Sequence, residues 1–171
     1  MYGGANAIGT SNVANAAWCV EAWSLGADGV VPWNTIGKAD AWQTPDELSV
    51  LYPSANGPVP SLRLKAFLAG QQLVEYLTLY CAVSGQSRET VMAALRATEG
   101  FRATPVKKNE EDAGKSRFGA DTQAALETLR LRIGVYLDAK APPARLRWHD
   151  PRPVRPDLEK ARQIVPLTAV P

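Results

Sequence analysis

Gly26-Ala27-Asp28-Gly29-Val30-Val31-Pro32-Trp33 carries the chain out of one element and into another, and the rest of the sequence is organised around this passage. Gly26 supplies an easy left-handed stop for a preceding helix. Ala27-Asp28-Gly29 then turns the backbone into Val30-Val31-Pro32-Trp33, a short β-branched run of the kind that forms a strand buried on both faces. Pro32 cannot donate a ladder hydrogen bond, so it belongs at the strand end or on an edge, and the strand is expected near residues 29 to 33.

Upstream, Thr10, Ser11 and Asn12 are each able to cap a helix running to Leu25. Val13, Ala16, Ala17 and Val20 make one apolar stripe, with Trp18, Ala22 and Leu25 beside it, so this helix should be covered by protein nearly all round. Downstream, residues 34 to 60 show no period. Pro45, Pro53, Pro58 and Pro60 with Gly37 and Gly57 mark a long irregular connection carrying Trp42 and Tyr52, and loops of that length are binding loops or disordered. A second helix is predicted from Ser61 to Val83, with Leu64, Phe67, Leu68, Val74, Leu77 and Cys81 at helical spacing and Gly85 beyond. Ser87 caps a third, carrying Val91, Met92 and Leu95 and ended by Gly100. Residues 107 to 117 read as a solvated, charged loop. A fourth helix follows from Asp121 to Ala139, striped by Leu126, Leu129, Ile133 and Leu137. The segments are therefore 1–60, a βα unit with its aromatic loop; 61–140, helices; and 141–171, a Pro/Arg-rich tail expected to be extended.

Of the 171 residues, 46% are hydrophobic, enough for one compact domain. A complete (β/α)8 barrel needs about 250 residues and eight strands, so a whole barrel is excluded. Lys and Arg total 19 against 17 Asp and Glu, a net charge of +2 that demands no nucleic acid partner. Cys19 and Cys81 fall inside predicted helices as small apolar thiols and form neither a disulfide framework nor a metal site. No run reaches the roughly 18 apolar residues of a membrane span, and the first residues lack the features of a signal peptide. The chain is expected to be soluble, without membrane contact, while the compartment of any longer parent protein is left open.

A two-carboxylate glycosidase centre needs acids about 5 to 10 Å apart. Asp46-Glu47 and Glu110 to Asp112 are adjacent acids, but neither set has the apolar setting that raises a carboxyl pKa. His149, the single histidine, lacks companion ligands, and Gly3-Gly4 does not begin a phosphate loop. No residue is assigned a catalytic or metal-binding role, and no cofactor is implied. What remains is Trp33-Asn34 at the strand end, with Trp42 in the next loop. An indole face matches the C–H face of a sugar, and an amide both donates to and accepts from hydroxyls. In the alternative, Trp33 plugs a barrel core and Trp42 covers an apolar seam.

These features, together with Leu51-Tyr52-Pro53, the run from Gly57 through Pro58-Val59-Pro60-Ser61-Leu62-Arg63-Leu64, Val74-Glu75-Tyr76-Leu77 and the final Leu126 to Leu137 helix, resemble in order and spacing the closing portion of the glycoside hydrolase family 123 catalytic domain, formerly domain of unknown function 4091. The resemblance covers roughly residues 1 to 140. It implies an α-rich fragment of a (β/α)8 TIM barrel, comprising the last one or two βα units plus C-terminal helices. It also implies an N-acetylhexosaminidase-type activity in which an Asp-Glu pair on a middle strand assists attack by the substrate's acetamido group. That strand is not represented in this chain, so the pair maps onto none of its residues. Trp33, Asn34 and Trp42 carry over as part of a sugar-binding wall. Arg63, a cation in the first turn of a helix, opposes the helix dipole and so is expected to be either substrate-facing or structural.

Two functions follow as expectations. In the first, the chain is the C-terminal segment of a glycoside hydrolase-like barrel, inactive alone, with a carbohydrate ligand and an upstream barrel segment as partners. In the second, it is a non-enzymatic helical interaction or structural module that closes its open face by self-association.

Overall fold

Ser11 opens the first helix of the computed structural model, which describes residues 1–3, 6–44, 48–97, 101, 103–105, 116–118 and 122–140. The element order is β1 (Tyr2–Gly3), α1 (Asn12–Ser24), β2 (Val31–Pro32), β3 (Leu51–Tyr52), β4 (Val59–Pro60), α2 (Leu62–Ser84), α3 (Arg88–Ala97), β5 (Ala103–Pro105), β6 (Ser116–Phe118) and α4 (Thr122–Lys140). The chain divides into two compact units, Met1–Ala141 and Pro142–Pro171. The second lies outside the described residues, as do Asp46-Glu47, Glu110 to Asp112, His149 and Gly100.

The four helices fall where the sequence places them because their signals are local. The Ser11 hydroxyl accepts the Val13 N–H at 3.3 Å. Gly26, at φ +87°, turns the chain so that Ala27 N–H reaches back to Ala22 O at 2.9 Å. Gly85, at φ +71°, ends α2, and the Ser87 hydroxyl accepts the Thr90 N–H near the start of α3. Helix α1 is buried along most of its length, from Asn15 to Ser24, and packs on α2. The core gathers Val20 and Trp23 of α1, Leu73 and Leu77 of α2, Val91 and Leu95 of α3, and Ile133 of α4, with Leu126, Leu129 and Leu137 against it. The α2 stripe differs from expectation: Leu64 and Leu68 are exposed, while Leu73 is buried. Apolar residues ring this helix, and among the described residues its neighbours bury one side, at Arg63, Gly70, Leu73 and Leu77.

Two arginines of α3 lock it to the end of α1. Arg88 donates to the carbonyls of Trp23 at 3.2 Å and Ala27 at 2.8 Å, with its guanidinium 5.0 Å from the Trp23 ring centre. Arg96 donates to Ser24 O. Cations thereby stand on carbonyls at and just beyond the C-terminal end of α1, where the helix dipole favours positive charge.

The sheets depart most from the sequence reading, which found one strand. Among the described residues there are three two-stranded sheets: β1 with β2 in parallel, and the antiparallel pairs β3–β4 and β5–β6. Arg117, expected in a solvated loop, sits in β6 opposite Thr104. Around residues 34 to 60, the connection is held by Leu51 N–H to Thr35 O, Gly37 N–H to Leu51 O, both 2.8 Å, and the β3–β4 hairpin.

Tyr2 pairs with Val31, and Val31 and Trp33 donate to Met1 O and Gly3 O at 2.8 and 2.7 Å, so β1-α1-β2 is a parallel βαβ unit. Pro32 ends β2 with its nitrogen turned away from β1, where no ladder donor is lost. The expected burial on both faces is not observed. Side chains alternate, which places Tyr2, Val31 and Trp33 together on one face, and they are 51%, 59% and 65% exposed. Gly3 is buried on the other face. No described element covers the first face, and this is the physical reason for the difference.

Candidate functional site

Chain segments leaving parallel strands at their C-terminal ends build the working face of α/β proteins. Here the segment after β1 delivers Asn6 and the segment after β2 delivers Trp33 and Asn34. Asn6 is fully buried and holds three segments together. Its amide nitrogen donates to Asn34 O at 2.9 Å and to Leu48 O, and its backbone carbonyl accepts from Arg63 Nη1 at 2.9 Å. Among the described residues, its side-chain oxygen is buried without a hydrogen-bond partner.

Arg63 stands in the first turn of α2 and is 7% exposed. Its Nη2 donates to the Tyr52 hydroxyl at 2.9 Å. The Tyr52 ring lies 5.0 Å from that of Trp42, tilted by 44°, and the Trp42 indole N–H donates to Pro53 O. Trp42 nevertheless remains 58% exposed. Trp33 forms a separate aromatic pair, its ring centre 5.5 Å from that of Tyr2.

Of the four residues named from sequence, Asn34 and Arg63 are joined through Asn6, and Trp42 reaches the same network through Tyr52. Trp33 belongs to the neighbouring pair. Asn34 is half-buried, and Arg63 is engaged by protein groups. The sequence reading missed Asn6 and Tyr2 as members of the site. Tyr52 enters the sequence reading through the aromatic loop and the Leu51-Tyr52-Pro53 run, without a role at the site, and its phenol was the available signal. Trp33 and Trp42 are both exposed but stand in separate aromatic pairs, and the Tyr52 phenol is held by Arg63; an exposed indole offers an apolar face for stacking, and an amide both donates and accepts hydrogen bonds.

Beside β2 lies a mostly apolar groove of about 390 Å³, lined by Cys19 and Trp23 of α1, Val30 and Pro32 of the strand, and Phe67 and Val74 of α2 among others. The Cys19 thiol is pushed up to about 11 by burial. Among the described residues, no cluster of three or more His, Cys, Asp or Glu could hold a metal, and no helix is long and apolar enough to cross a membrane. No protein-family model, curated protein or solved structure matches this chain.

Proposed function

We propose that this chain is the closing part of a glycoside hydrolase barrel of the family 123 type, supplying a sugar-binding wall from Trp33, Asn34 and Trp42 while the catalytic carboxylates come from an upstream segment. The observation that carries the reading is the pair of exposed indoles following the parallel βαβ unit. The uncovered face of that unit supports the same reading. Parallel strands occur almost only with both faces covered, because their crossover helices hide one face and further elements hide the other. A two-stranded parallel sheet baring Tyr2, Val31 and Trp33 fits a piece of a larger sheet.

The test is hydrolysis of a chromogenic N-acetylgalactosaminide by the 171-residue chain, by any segment encoded in frame upstream, and by the two together. Activity in the combination and not in the chain alone is expected. A combined protein that neither cleaves nor binds N-acetylhexosamines overturns the reading. The same bare face favours a second reading, a helical module that buries Tyr2, Val31 and Trp33 against another copy. A stable oligomer of the isolated chain with no affinity for sugar selects it.

A further inference from the structure

A guanidinium at the N-terminal end of a helix faces the positive pole of the helix dipole, and burial removes its water as well. Arg63 is in both situations. Its compensation includes the Asn6 carbonyl and the Tyr52 hydroxyl, each at 2.9 Å. Turning Arg63 outward to meet a ligand would break both bonds and leave the buried Asn6 carbonyl without this donor, so direct contact with substrate is disfavoured.

From Tyr52 a chain of contacts leads to the surface. The phenol is fixed at its oxygen by Arg63, its ring leans on Trp42, and the Trp42 N–H is committed to the carbonyl of Pro53, the residue after Tyr52. The indole is thus held at its ring and at its nitrogen while most of it stays open to solvent. Stacking a ring on an indole needs that combination, because an indole ordered before binding loses little side-chain entropy on contact.

We infer that Arg63 is a positioning residue: through Tyr52 it orients the Trp42 indole as a stacking platform for the apolar face of a neutral sugar, and it does not touch that sugar. The nature of the ligand rests on the carbohydrate reading above, whereas the linkage from Arg63 to Trp42 stands on the geometry alone.

The experiment follows the indole N–H resonances of the ¹⁵N-labelled full chain, with those of Trp42 and Trp33 assigned from Trp42→Phe and Trp33→Phe. Hydrogen exchange at the Trp42 indole is compared in the wild type, Arg63→Gln and Tyr52→Phe, before and during titration with N-acetylgalactosamine. Exchange at Trp42 should quicken about tenfold in both variants, the scale of one lost hydrogen bond to a charged group, with Trp33 unmoved as the internal control. Sugar affinity should fall by a similar factor. Tyr52→Phe removes a single oxygen and leaves Arg63 on Asn6, so it decides the matter if Arg63→Gln does not fold. Unchanged Trp42 exchange in Tyr52→Phe overturns the positioning role. Faster exchange in a protein whose wild type ignores the sugar upholds that role and removes the carbohydrate reading instead.

Discussion

A β-carbon placed on Gly70 would stand 2.8 Å from the Cα of Ala16, and this is where α1 and α2 cross. The same atom would lie 2.9 Å from Ala16 O and from Cys19 Cβ, and two of these three neighbours are backbone. Glycine inside a helix normally loses about 1 kcal/mol to alanine. Here the helices would have to separate, an overpacking cost of about 1 to 3 kcal/mol. Gly70→Ala should therefore lower the Tm by several degrees in a thermal melt. A variant melting at or above the wild type would show that the two helices are not held this closely.

At the other end of α1, the visible ion pair is the weaker part of the attachment. Arg88 lies 3.4 Å from a carboxyl oxygen of Asp28, whose side chain is 99% exposed, and surface pairs of that kind contribute little. The carbonyls of Trp23 and Ala27 and the face of Trp23 need the flat, forked guanidinium. Arg88→Lys keeps the charge and should still cost about 1 to 2 kcal/mol in urea unfolding, from lost hydrogen bonds and lost stacking. Asp28→Asn should stay within about 0.5 kcal/mol of the wild type. The reverse ranking would assign the attachment to the ion pair.

Cys19 gives the fold a dependence on alkaline pH. Burial raises its thiol from 9.0 to about 11, so the folded chain holds this proton more tightly than the unfolded chain does. The resulting stability is complete below pH 9 and is lost as pH rises toward 11, by up to about 3 kcal/mol. Urea midpoints measured from pH 8 to 11 should fall more steeply for the wild type than for Cys19→Ala, which cancels other titrating groups. Parallel curves would mean that the thiol ionises as freely in the folded chain as in the unfolded one.

The sequence made the helices legible because their determinants lie within a few residues of one another: Ser11 with Val13, Ser87 with Thr90, and Gly26 and Gly85 in left-handed backbone. The strands were legible only where β-branched residues stood together. Tyr2–Gly3 and the β3–β4 hairpin are two-residue strands created by their partners, and nothing local marks them. Val30-Val31 read as doubly buried because such composition normally is, and the bare face depends on what packs there. The site divided in the same way. Trp33 and Trp42 could be picked out by residue type and by their place after a strand. Asn6 could not, because its importance lies in Asn34 and Arg63, 28 and 57 residues away.

The two roles open to Trp33 predict opposite outcomes in one pair of measurements. The residue is 65% exposed, and its one aromatic neighbour among the described residues is Tyr2, itself 51% exposed. Removing an exposed indole takes little apolar surface out of a core. Trp33→Ala should thus lower stability by no more than about 1 kcal/mol, whereas the fully buried Trp18, stacked edge-on against Phe67, should lose about 3 to 5 kcal/mol on the same change. If Trp33 forms part of a sugar wall, its loss should weaken N-acetylhexosamine binding about tenfold, since an aromatic stacking contact contributes about 0.5 to 1.5 kcal/mol beyond the area it buries. Calorimetric titration and a thermal melt on one protein preparation separate the cases. A large fall in Tm with unchanged sugar affinity would make Trp33 a packing residue and leave Trp42 alone to carry the wall.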